Sequence, residues 1–101
     1  MMKVKLTANA RRRLQQIRDY HKEQGNAAKG RRIGRKILTE SKKLEKHPEL
    51  GQVEANLETE GKGHRYLLVK PFYKLIYLIV KPVIFITDIF DTRQDPKKMR
   101  P

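Results

Sequence analysis

The stretch "HRYLLVKPFYKLIYLIVKPVIFITDIF", residues 64–90, decides how this chain folds. It holds three runs rich in Ile, Leu, Val, Phe and Tyr, punctuated by Lys-Pro pairs at 70–71 and 81–82. Such runs between turn signals read as strands. The connectors are far too short for crossover helices, so the three strands are antiparallel neighbours. The middle run, 72–80, is apolar almost throughout, which puts it at the centre of a sheet. Side chains alternate faces along a strand. Lys74, Ile76, Leu78 and Val80 therefore share one face, and Tyr73, Leu75, Tyr77 and Ile79 the other.

Upstream, "KVKLT" (3–7) alternates Val4 and Leu6 with two lysines, a short half-buried strand. Thr7 or Asn9 can cap the helix that follows. Ala10, Leu14, Ile17 and His21 recur at the spacing of one helix face. Gly25 ends that helix, and Asn26 can cap a second. The second helix has its apolar stripe at Ile33, Ile37, Ser41 and Leu44, widened by Leu38. Gly30 and Gly34, one turn apart, weaken this helix but let its neighbour approach closely. His47-Pro48 stops it. Residues 48–63, polar, acidic and punctuated by glycine, read as a loop with little regular structure. The order is β-α-α-β-β-β: an α+β fold with a small, mainly antiparallel sheet and an N-terminal helical hairpin packed on one face. The whole chain, 1–101, reads as a single domain. Strand 1 pairs at an edge or inside the sheet; the pattern leaves both open.

The charge is extreme. Lys plus Arg is 24 against 11 acidic residues, a net +13. It is uneven: residues 1–50 carry 15 basic and 5 acidic residues, and residues 51–101 carry 9 and 6. A field this positive attracts polyanions: nucleic acid, an acidic protein or an anionic membrane surface. The absence of cysteine excludes disulfides, zinc-thiolate sites and a cysteine nucleophile, and fits a reducing cytoplasm. The three histidines have no metal-ligand spacing, so neither metal nor cofactor is expected. No apolar run is long enough to span a bilayer, and the N-terminus lacks the apolar core of a signal peptide. Both point to a cytoplasmic protein.

Three basic residues stand where strands could have avoided them: Arg65 opens one strand, Lys74 interrupts the next, and Arg93 follows the last. On an open sheet face they suit a phosphate backbone, with Tyr73 or Tyr77 to stack on a base. The competing reading is structural. Lys74 snorkels at the rim, Asp91 and Asp95 pair with the arginines, and the tyrosines belong to the core. The basic residues of "RRRLQQIR" and "GRRIGRK" spread around the helices, and no helix-turn-helix pattern accompanies them.

"LTANARRRLQQIRDY", "LEKHPELG" and above all "RYLLVKPFYKLIYLI" leading into "ITDIFDTRQDPKKM" resemble the RelE/ParE superfamily, the plasmid-stabilisation-type toxins of bacterial type II toxin–antitoxin systems. The resemblance runs over essentially the whole chain and implies two mechanisms. RelE-like members are endoribonucleases that cut mRNA on the ribosome; ParE-like members inhibit growth by poisoning DNA gyrase. Carried over by position, Arg65, Lys74 and Arg93 are the catalytic, phosphate-binding candidates. Tyr73, Tyr77 and His64, which the resemblance does not carry over, are the substrate-binding candidates. Many ribonuclease members place a histidine or tyrosine near the end of the last strand as general acid or base. Phe90 and Asp91 stand there in this chain. The resemblance also implies an acidic antitoxin partner lying on the helical hairpin and the sheet edge. Ribosome-dependent nuclease, gyrase inhibitor, and a non-toxic relative that only binds antitoxin all stay open at this level.

Overall fold

The computed structural model describes residues 1–101 throughout. Strand β1 (Lys3–Leu6) leads into helices α1 (Ala8–Glu23) and α2 (Ala27–Lys43), then strands β2 (Gln52–Val53), β3 (Arg65–Val69), β4 (Tyr73–Val80) and β5 (Val83–Asp91). Thr7 caps α1, its hydroxyl accepting from the Ala10 amide at 3.1 Å. Asn26 caps α2 by accepting from Lys29 N at 3.2 Å. These bonds satisfy donors that each first turn leaves without partners.

The sheet order is β1-β5-β4-β3-β2. β3, β4 and β5 pair antiparallel, as the Lys-Pro turns require. β1 takes the edge and runs parallel to β5, Val4 opposite Ile84 and Leu6 opposite Ile86. The connection between this parallel pair is long, running through the helical hairpin and then β2, β3 and β4.

The expected stripes are buried. Ala10, Leu14, Ile17, Ile33, Ile37 and Leu44 pack against Tyr73, Leu75, Tyr77, Ile84, Ile86 and Ile89 of the sheet. The hairpin itself is tight. A Cβ on Gly30 would meet the Arg18 carbonyl oxygen at 3.1 Å and His21 Cβ at 3.2 Å, so a hydrogen is what fits between the helices there. The other sheet face carries a smaller cluster of Leu57, Ile76, Phe90 and Met99, with Tyr66 beside it.

Two features depart from the expected pattern. Residues 48–63 are not an irregular loop: they contain β2 and a 3₁₀ segment, Ala55–Glu60. A two-residue strand has no period to detect, and what stabilises the segment is burial of Glu54 and Leu57 against the sheet. The second is a bulge. Ile76 pairs with Asp88 and Tyr77 with Ile86, leaving Thr87 as an extra residue in β5. One extra residue inverts the alternation beyond it. Ile84 and Ile86 face the hairpin, and past the bulge it is Ile89 that does so, while Phe90 joins the cluster on the reverse face.

Candidate functional site

Arg65 opens β3 opposite Tyr77 and so shares the hairpin-side face. Its guanidinium donates to the Gly51 carbonyl at 2.8 Å. The Tyr77 hydroxyl donates to the Pro48 carbonyl at 2.8 Å and accepts from the Gly51 amide at 2.9 Å. Tyr77 is fully buried, and that burial pushes its phenol upward. Together the two side chains pin residues 48–51 to the sheet.

Lys74 lies on the reverse face. Its ammonium is 2.7 Å from Glu54 Oε1 and 4.2 Å from the centroid of the Tyr66 ring. Glu54 is only 2% exposed, and its second oxygen accepts from the backbone and side-chain nitrogens of Asn56, each at 3.2 Å. The lysine is thus held in an ion pair whose anion has almost no access to water.

Arg93 follows β5 in solvent. It grips Asp91 in a fork, Nε to Oδ1 at 3.0 Å and Nη2 to Oδ2 at 2.8 Å, and its own amide donates to Oδ1 at 2.9 Å. The guanidinium lies 3.6 Å from the centroid of Phe72. Hydrogen bonding from Arg93 holds the Asp91 carboxyl below the usual range, and the same bonds raise Arg93. Asp95 takes no part; it caps the turn at Pro96–Lys98 by accepting from Lys97 N at 3.0 Å.

The three cations expected on one open sheet face are therefore not assembled. Lys74 is on the reverse side from Arg65. Tyr77, opposite Arg65, and Tyr73, opposite Asp91, are four residues apart on β4, about 13 Å at strand rise. The alternation of β4 placed Lys74 correctly; what the sequence concealed was the bulge that turns Asp91, and with it Arg93, toward the hairpin. His64 is buried just before β3, its Nδ1 without a partner, and burial followed by Lys62 lowers its basicity.

Arg93 opens instead onto a cleft of about 320 Å³ lined by Arg13, Gln16, Ile17, Tyr20, Tyr73, Ile89, Asp91 and Gln94 as well. Two tyrosines thus stand beside Arg93, one from α1 and one from β4, although none follows residue 77 in the chain. Burial and the Asp91 charge raise Tyr73, so its phenol stays protonated at neutral pH. Behind the cleft, Asp88 is fully buried. It accepts from Arg13 Nε at 3.1 Å, Asn9 Nδ2 at 3.2 Å, Ile89 N at 2.9 Å and Arg100 N at 2.9 Å. This carboxylate ties α1, β5 and the C-terminal segment together. Its only signal in the sequence is a lone acid inside an apolar strand.

No group of three or more His, Cys, Asp or Glu side chains is arranged to hold a metal ion. No helix is long and apolar enough to cross a membrane.

A two-helix hairpin on a five-stranded mixed sheet makes this a small, strongly basic α+β protein. The sequence model described as "ParE toxin of type II toxin-antitoxin system, parDE" matches residues 4–96, and the chain belongs to that family. It is the toxin component of a type II toxin–antitoxin system, so an antitoxin is its partner. Among solved structures, "Chromosomal ParDE TA system from P. aeruginosa" is similar over 90% of this chain and 96% of that one, with 22% identity and a TM-score of 0.74, which shows the shared fold. No curated protein matches the chain.

Proposed function

We propose that this toxin inhibits growth in the cytoplasm by binding a protein target, DNA gyrase, and not by cutting mRNA. One observation carries the reading: each cation expected to hold a scissile phosphate already has a partner within its own chain. Lys74 is paired with buried Glu54, Arg93 is forked on Asp91, and Arg65 is spent on the Gly51 carbonyl. Pulling Lys74 onto a phosphate would strand the buried Glu54 carboxylate, which is costly, and Arg93 would have to share its charge between the phosphate and Asp91. Tyr73, held protonated, and Arg93, raised by its bonds to Asp91, supply no group that titrates near neutrality for general-base work. In this reading Arg65, Lys74 and Tyr77 hold the fold, while Tyr73 and Arg93 line a cleft suited to a protein segment, since Tyr and Arg are favoured where binding energy concentrates.

The nuclease reading keeps one supporting observation, the convergence of Arg13, Tyr20, Tyr73 and Arg93 on one cleft. The test is induction of the toxin without its antitoxin, with mRNA integrity and gyrase supercoiling followed separately. Supercoiling inhibition and DNA breaks with intact mRNA are expected. Codon-phased mRNA cuts abolished by Tyr73→Phe would replace this reading with the nuclease, and unimpaired growth would remove both. An acidic antitoxin is expected to bind with an on-rate that falls as salt is added.

A further inference from the structure

We propose that the exposed face of α2 binds the phosphate backbone of duplex DNA without reading sequence. The exposed positions of α2 are Ala28, Lys29, Arg31, Arg32, Arg35, Lys36, Thr39, Lys42 and Lys43, so seven of nine are basic and none is acidic. Lys42 and Lys43 have Glu45 and Glu40 as partners. Lys29, Arg31, Arg32, Arg35 and Lys36 pair with no carboxylate. These five occupy two helical turns. Arg18 of α1 adds a sixth unpaired guanidinium, which lies against Gly34, where an added Cβ would meet its Nε at 2.9 Å.

This arrangement works against the helix by itself. Arg31 and Arg35, and likewise Arg32 and Lys36, are like charges one turn apart, a spacing at which they repel. A polyanion laid along the face removes that repulsion.

The composition of the face selects the polyanion. Its only other exposed residues are Ala28 and Thr39, so it offers no aromatic or apolar anchor. Protein interfaces rest on such anchors and are depleted of lysine at their centre. Single-stranded nucleic acid is held by aromatic side chains on which bases stack. Duplex DNA needs neither, because it presents regularly spaced phosphates and its association is driven by counterion release.

The measurement is fluorescence anisotropy of the full chain with a labelled duplex of about 20 base pairs and arbitrary sequence, titrated between about 50 and 200 mM salt. Five phosphate contacts predict a log–log slope of about −4 to −5, a loss of affinity of about 500-fold over that range. Replacing four residues together, R31Q/R32Q/R35Q/K36Q, is expected to reduce the slope to about −1. Glutamine has nearly the helix propensity of arginine and lysine, so the helix is expected to persist, as circular dichroism will report. If the quadruple variant does not fold, R31Q and R35Q singly are each expected to reduce the slope by about 0.9. Lys97→Gln/Lys98→Gln, which removes two charges elsewhere, is expected to leave the slope unchanged. An unaltered slope in the α2 variants, or an equal loss in the Lys97/Lys98 variant, overturns the proposal. So does single-stranded RNA binding as tightly as duplex, or poly-glutamate displacing the duplex at equal charge, which would make the face a site for unpaired RNA or for an acidic polypeptide.

Discussion

Replacing Lys74 with methionine tests the reasoning about the reverse sheet face most directly. In the native chain the Lys74 ammonium sits 2.7 Å from a Glu54 carboxylate whose side chain is 1% exposed, while the lysine side chain is 20% exposed. The two partners are therefore not equivalent. Lys74→Met leaves a buried anion held only by Asn56, and stranding one member of a buried pair costs about 3–5 kcal/mol. Glu54→Gln leaves a lysine that can turn outward to water, and loses a charge-assisted hydrogen bond worth about 1.5–3 kcal/mol. Lys74→Met combined with Glu54→Leu removes both charges at similar volume, and such replacements are often neutral or stabilising. Asn56, itself exposed, can then bond to water. The expected order is thus double variant close to wild type, Glu54→Gln lower, and Lys74→Met lowest. The assay is urea unfolding of all four proteins at pH 7. For a chain of this size a loss of about 3 kcal/mol lowers Tm by roughly 12 °C or more. A Lys74→Met variant within about 1 kcal/mol of wild type would refute the claim that the pair is a structural commitment. It would return Lys74 to the pool of cations available to phosphate.

Gly30→Ala is expected to destabilise by about 1–3 kcal/mol, because its methyl meets backbone of α1, whereas Gly34→Ala meets the movable Arg18 guanidinium and is expected to be near neutral; unfolding midpoints compare the two. Burial lowers the basicity of His21 and His64 in the folded state, so the unfolded chain binds protons first. Stability is then full above the unfolded histidine value of about 6.5 and falls as pH drops toward the folded values, a loss that leucine at both positions should flatten in Tm measured from pH 7.5 to 5. Asp91 is the opposite type of group with the same outcome. Its folded value lies below the unfolded one, so its contribution exists above the unfolded range and disappears as pH falls through the folded value. Arg93→Gln should return the Asp91 titration, followed by NMR, toward the ordinary carboxylate range, and an unchanged titration would mean that the fork does not persist in solution.

The strand block, the helical hairpin, the face each residue of β4 takes and the family resemblance were all legible from residues 1–101. They depend on local periodicity, on turn residues and on chain length between elements, which are properties of neighbours along the chain. Three decisions were made only in space. β1 took the β5 edge and the parallel direction, a pairing between residues eighty positions apart such as Lys3 and Val83. Residues 52–60 became ordered because Glu54 and Leu57 are buried against the sheet, Glu54 beside a Lys74 twenty positions away. The bulge at Thr87 turned Asp91 and Arg93 toward α1, so that the arginine met Tyr20 and Tyr73 and not Lys74. Composition set the charge and the kind of partner that such a field attracts. Which cations remain free to act on that partner was decided by long-range pairing, since a carboxylate distant in sequence neutralises a lysine only after the chain has folded.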